Sequence, residues 1–194
     1  ALGVLSPSSE ILVAELDPQV TRLAEERLFL EPSALHIVHR DARLALRDAG
    51  RGFTERFADP SSGRASDRAA DRASDRAPLR FDVIVGDVFH DVAIPPHLVT
   101  REFAALVKSR LRPDGLYVMN VVDAFPDPRL IKSIAKTLAT EFREVDLWME
   151  AVPKDPRVTF VVTASNGQRL PKTVTARTGP PRAWSRMTVR QVQR

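Results

Sequence analysis

The chain has 194 residues, of which 43% are hydrophobic and 28% charged, a balance that suits one globular domain and excludes a fibrous or wholly disordered protein. It holds no cysteine, which excludes disulfides and cysteine-based zinc or iron–sulfur sites and permits a reducing cytoplasm, and no apolar run approaches the ~20 residues of a membrane span. The net charge of +4 and pI near 9.9 would suit nucleic acid, but seven Lys or Arg and no acid follow Asn166, leaving −3 over residues 1–166. We therefore expect a mildly acidic body at 1–166 and a basic, flexible tail at 167–194. Neither nucleic acid nor a membrane is the expected partner, and the expected location is the cytoplasm.

The elements follow in chain order. Ile11 to Glu15 is a short apolar run ending in an acid, and Asp17 with Pro18 supplies an N-cap and first residue for a helix carrying Val20, Leu23, Ala24 and Leu28. Leu35 to Val38 predicts a second strand, followed by a short helix over Asp41 to Arg47 with Leu44 and Ala45 inward. Between residues 50 and 80 the pattern lapses: Ala65 to Ala77 reads ASDRAADRASDRA, which has no large apolar residue to bury and predicts a flexible surface insertion.

Phe81 to Val85 is apolar enough to predict a strand at the centre of a parallel sheet, with Asp87 just past its end. Leu98 to Leu111 carries an apolar stripe of Val99, Phe103, Leu106, Val107 and Leu111, ended by Pro113 and Gly115. Leu116 to Val122 predicts a further buried strand. Asp127 and Pro128 then predict the cap of a helix bearing Ile131, Ile134, Ala135, Leu138 and Phe142, and two strands over 143–148 and 158–163 close the domain as an antiparallel pair.

Strands alternating with helices predict a doubly wound, Rossmann-like α/β sheet with helices on both faces, whose ligands lie beyond the carboxyl ends of the strands. Glu15, Asp17, Asp41, Asp87 and Asp123 all fall at such ends. Helix capping also favours Asp there: it accounts fully for Asp17 and stands level with a ligand role for Asp41. No capping pattern follows Glu15 or Asp87, which favours function for both. The four histidines, His36, His39, His90 and His97, show no HxxxH or HExxH spacing. His36 and His39 are expected to be structural, while His90 and His97 flank a loop where they either pack or touch substrate. No GxSxG elbow supports a hydrolase.

The segments VAELDP at 13–18, HRDARLAL at 39–46, FDVIVGDVFHD at 81–91, IPPHLVTREF at 94–103 and LRPDGLYVMNVVD at 111–123 together resemble the spermidine synthase family of polyamine aminopropyltransferases, within the class I S-adenosylmethionine-dependent methyltransferase superfamily. The resemblance implies transfer of an aminopropyl group from decarboxylated S-adenosylmethionine to a polyamine. By it, Glu15 would hold the ribose hydroxyls and Asp41 the adenine amino group, with Asp87 as the catalytic carboxylate that orients and helps deprotonate the acceptor amine. His90 and Asp91 would border the acceptor. No metal is required, because a sulfonium is already an activated leaving group. A homodimer is compatible with the resemblance.

Two departures qualify the transfer of that activity. Polyamine synthases commonly carry a second Asp three residues after the catalytic one, whereas here that position is His90 and the acid follows at Asp91. The family's first strand and glycine-rich loop have no counterpart before Ile11, since Ala1 to Leu5 reads as the end of a helix and no GxGxG occurs. An empty central slot would leave backbone groups unsatisfied at roughly 1–3 kcal/mol each, so the expectation is a partial chain. The alternatives are a methyltransferase using ordinary S-adenosylmethionine and a non-catalytic truncated relative.

Overall fold

Parallel pairing of two short strands opens the described part of the chain. The computed structural model describes residues 9–31, 35–49, 78–87, 94–150, 156–167, 170–175 and 183–187. Two units divide the chain, Ala1–Leu79 and Arg80–Arg194, so the division does not fall at residue 166. Nearly all of the expected insertion at 50–80 lies outside the described residues.

In the first unit, β1 (Leu12–Glu15) and β2 (His36–His39) form a two-stranded parallel sheet in which Leu12 faces His36 and Glu15 faces His39. Between them runs α1 (Pro18–Leu28), started by the Asp17 carboxylate, which accepts from the Gln19 N–H at 2.8 Å, and by Pro18 at the first turn. Capping satisfies an otherwise orphan donor. The helix ends at Phe29, which adopts the left-handed conformation with φ 56°. β2 leads into α2 (Ala42–Asp48), capped by Asp41 through the Leu44 N–H at 3.1 Å. Ala45 is buried as expected, but Leu44 is 37% exposed, a correction: on so short a helix only one flank turns inward.

The second unit is a six-stranded sheet in the order β3-β4-β6-β5-β8-β7: β3 (Phe81–Gly86), β4 (Leu111–Ala124), β5 (Glu144–Glu150), β6 (Arg157–Ser165), β7 (Thr173–Thr175) and β8 (Ala183–Met187). Only β3 and β4 run parallel; the remaining pairs are antiparallel. The expected helix over 98–111 divides into a 3₁₀ turn at Pro96–Leu98 and α3 (Arg101–Arg110). Thr100 starts α3 by accepting from the Phe103 N–H at 3.2 Å. α4 (Arg129–Ala139) lies between β4 and β5 in sequence.

Alternation along β4 decides the core. Tyr117, Met119 and Val121 are buried together with Phe160 and Val162 of β6. Leu98, Phe103, Ala104, Ile134 and Leu138 close over Tyr117 and Met119, so α3 and α4 cover this face with the stripes their spacing predicts. On the other face Trp148 and Thr163 are both buried, and the indole N–H donates to the Thr163 hydroxyl at 2.8 Å. That bond answers the need of a buried polar group for a partner.

Two expectations are corrected. Among the described residues β3 is an edge of its sheet rather than a central strand, hydrogen-bonding a strand on one side alone, with Val83 47% and Val85 54% exposed. The tail expected to be flexible supplies β7 and β8, which extend the sheet from β5. Arg186 anchors it, its backbone N–H donating to Lys172 and its guanidinium lying 3.5 Å from Asp146. Among the described residues no helix is long and apolar enough to cross a membrane.

Candidate functional site

Glu15 and Asp41 both stand at the carboxyl end of the first unit's sheet. Glu15 is the last residue of β1, and its carbonyl accepts from the Arg40 N–H at 3.0 Å, which draws the β2–α2 connection alongside it. Its side chain turns toward the next loop, where Oε1 accepts from the Asp17 N–H at 2.9 Å. Asp41 stands two residues beyond β2, its Oδ1 engaged by α2. Thr21 of α1 and His39 of β2 are joined at 3.0 Å between Oγ1 and Nε2, a structural tie. Both carboxylates therefore carry local backbone duties, and each is half-buried.

In the second unit, Asp87 follows β3 immediately and is exposed. Gly86 pairs with Met119 across the parallel ladder, so the next residue on each strand, Asp87 and Asn120, stand side by side. The Asn120 Nδ2 donates to Asp87 Oδ1 at 3.2 Å. A carboxylate has about four acceptor positions on its two oxygens; Oδ2 makes no hydrogen bond among the described residues. Asn120 was not among the residues the sequence singled out. Its signal was an amide within the apolar run YVMNVV, where a polar side chain on a sheet face calls for a partner.

Asp123, the other acid at a strand end in this unit, is a cap. Its Oδ2 accepts from the Ile131 N–H at 2.9 Å and its Oδ1 from the Ala124 N–H at 2.8 Å. Asp127, expected as the cap of α4, instead pairs with Arg129 and Lys132, each at 3.0 Å. Those two hydrogen bonds, from Arg129 first, hold its carboxyl below the ordinary carboxylate range. Pro128 occupies the cap position without a side-chain bond, which leaves the N-terminal donors of α4 to Asp123. His97 sits exposed on the 3₁₀ turn. His90 and Asp91 lie outside the described residues. Among the described residues no group of three or more His, Cys, Asp or Glu could hold a metal ion.

A parallel strand ending in an acid, followed by a helical connection to a second parallel strand, is the pattern of a Rossmann-like α/β protein. Solved structures agree on that class. The chain resembles a probable spermidine synthase from Corynebacterium glutamicum ATCC 13032 with a TM-score of 0.65 and 23% identity, over 87% of this chain and 51% of that one. It also resembles human methyltransferase-like protein 13 in complex with SAH, with a TM-score of 0.57 and 20% identity, over 82% of this chain and 62% of that one. The fold is the class I methyltransferase type. Residues 63–174 match the spermine/spermidine synthase domain, and the chain belongs to that family. A polyamine aminopropyltransferase of Vibrio vulnificus (strain CMCP6) is 31% identical over 121 residues, 62% of this chain and 32% of the relative. The chain thus spans about a third of that relative's length and about half that of the Corynebacterium structure. Asp87, Asn120 and Asp123 fall inside the family match; Glu15 and Asp41 precede it.

Proposed function

We propose that the chain carries part of an aminopropyltransferase site, in which a polyamine nitrogen attacks the propyl carbon beside the sulfonium of decarboxylated S-adenosylmethionine. The observation that carries this reading is the family match over residues 63–174, which includes the acid just beyond β3. A polyamine nitrogen with the ~10.4 pKa of a lysine-like amine is almost wholly protonated at neutral pH and is then no nucleophile. Asp87 is assigned to attract that ammonium, orient it and help remove its proton.

The freed lone pair forms the new C–N bond as the C–S bond breaks, and the electron pair of that bond returns to sulfur, leaving a neutral thioether nucleoside. Alignment of nitrogen, carbon and sulfur supplies much of the acceleration. Glu15 is assigned to the donor's ribose, because one carboxylate accepts from two vicinal hydroxyls, and Asp41 to the adenine amino group. His90 and Asp91 are assigned to the acceptor's far end. The cytoplasm is the proposed setting.

Incubating a form of the protein that carries the family's first strand and glycine-rich loop ahead of Ala1 with a diamine and decarboxylated S-adenosylmethionine tests the reading. Methylthioadenosine and the aminopropylated amine should appear in equal amounts. Formation of S-adenosylhomocysteine from ordinary S-adenosylmethionine, with no aminopropyl transfer, would assign the site to methyl transfer instead.

A further inference from the structure

We propose that Asn120 is a positioning residue for Asp87, an inference that rests on the acceptor role assigned to Asp87 above. The two side chains differ in how firmly they are held. Asp87 is the first residue past β3 and is exposed, so its own backbone ladder does not fix it. Asn120 lies well inside β4, a strand of 14 residues, paired across to Val161 of β6 and half-buried. The 3.2 Å bond from Nδ2 to Oδ1 therefore ties a loosely held carboxylate to a rigid strand.

The chemistry of the partner matters as much as its rigidity. An Arg or Lys in this place would fix the carboxylate but offset its charge, and so oppose recruitment of an ammonium. A neutral amide fixes it and leaves the charge in place. Only the nitrogen end of the Asn120 amide can face a carboxylate oxygen favourably, since its own oxygen would set acceptor against acceptor. With Oδ1 engaged, Oδ2 is left for the acceptor amine, one defined atom in place of two interchangeable ones. The bond is not required to join the strands, because β3 and β4 are already paired from Val83 to Gly86.

The test combines kinetics and spectroscopy on the form of the protein that carries the upstream strand and glycine-rich loop. Asn120→Leu should lower kcat for aminopropyl transfer by about 10- to 100-fold, the scale of a misaligned reacting group, while donor affinity holds. Asn120→Gln, which keeps a donor amide, should recover most of that loss. Independently of activity, the Asn120 side-chain amide resonances should shift in Asp87→Asn and stay in place in Asp82→Asn. Full kcat in Asn120→Leu, or amide resonances indifferent to Asp87→Asn, would overturn the inference alone, whereas a wild-type chain with no aminopropyl transfer would overturn the functional reading beneath it.

Discussion

A Cβ added at Gly86 would stand 2.7 Å from the hydroxyl oxygen of Tyr117 and 3.3 Å from its ring. The end of β3 thus passes directly over a buried phenol that α3 and α4 hold from the other side. Gly86→Ala should destabilise the second unit by about 1–3 kcal/mol, the scale of overpacking in a filled core. Removing the nearest atom with Tyr117→Phe should return part of that loss, because contacting sites couple. Denaturant unfolding of the two single variants and the double variant checks this; strict additivity would mean the strand end has room to shift.

Tyr117 is the one tyrosine in the chain, so phenolate absorbance reports it alone. Burial pushes its phenol up from the ordinary 10.0. The unfolded chain then releases this proton at a lower pH than the folded one, so the stabilising contribution is complete below pH 10.0 and is lost as pH rises above it, at no more than about 1.4 kcal/mol per pH unit. An alkaline titration should show phenolate forming together with loss of the fold. Reversible ionisation centred on pH 10.0, with the circular dichroism of the fold intact, would contradict the burial.

Asp123 shares its two oxygens between the Ala124 and Ile131 backbone donors. Asp123→Ala should therefore cost about 0.5–2 kcal/mol, as for loss of a helix cap. Asp123→Asn, with a single carbonyl oxygen, should fall between wild type and Ala. Thermal melts decide it, and a neutral Ala variant would return Asp123 to the set of candidate ligands.

Local signals made part of this molecule legible in the sequence. Asp17 and Pro18 sit beside the helix they start, and the stripes of α3 and α4 repeat within a few residues, so each could be read without knowing the fold. Asp123 could not: it caps a helix whose bonded N–H lies eight residues on, and a strand-end acid looks the same whether it holds a ligand or a helix. Asn120 and Asp87 are 33 residues apart and meet only through the parallel register of β3 and β4. β7 and β8 are short and lie in a basic, proline-bearing stretch; what makes them strands is the edge of β5, a tertiary contact no window of sequence contains. Apolar content predicted a central position for β3, but content does not say how many neighbours a strand has.

The division of labour among the strand-end acids is the centre of the account, and paired substitutions test it most directly. With the family's first strand and glycine-rich loop present upstream, Asp87→Asn keeps the size of the side chain but removes its charge and basicity, so aminopropyl turnover should fall by at least ~10²-fold, the lower range for a lost general base, with donor affinity nearly unchanged. Glu15→Gln should do the reverse at the donor, weakening nucleoside binding by roughly 10- to 100-fold, as expected for hydrogen bonds to a charged group. Isothermal titration with methylthioadenosine, alongside turnover on the same samples, separates the two. Full transfer by Asp87→Asn, or a loss of nucleoside binding in Asp87→Asn as large as that in Glu15→Gln, would contradict the assignment.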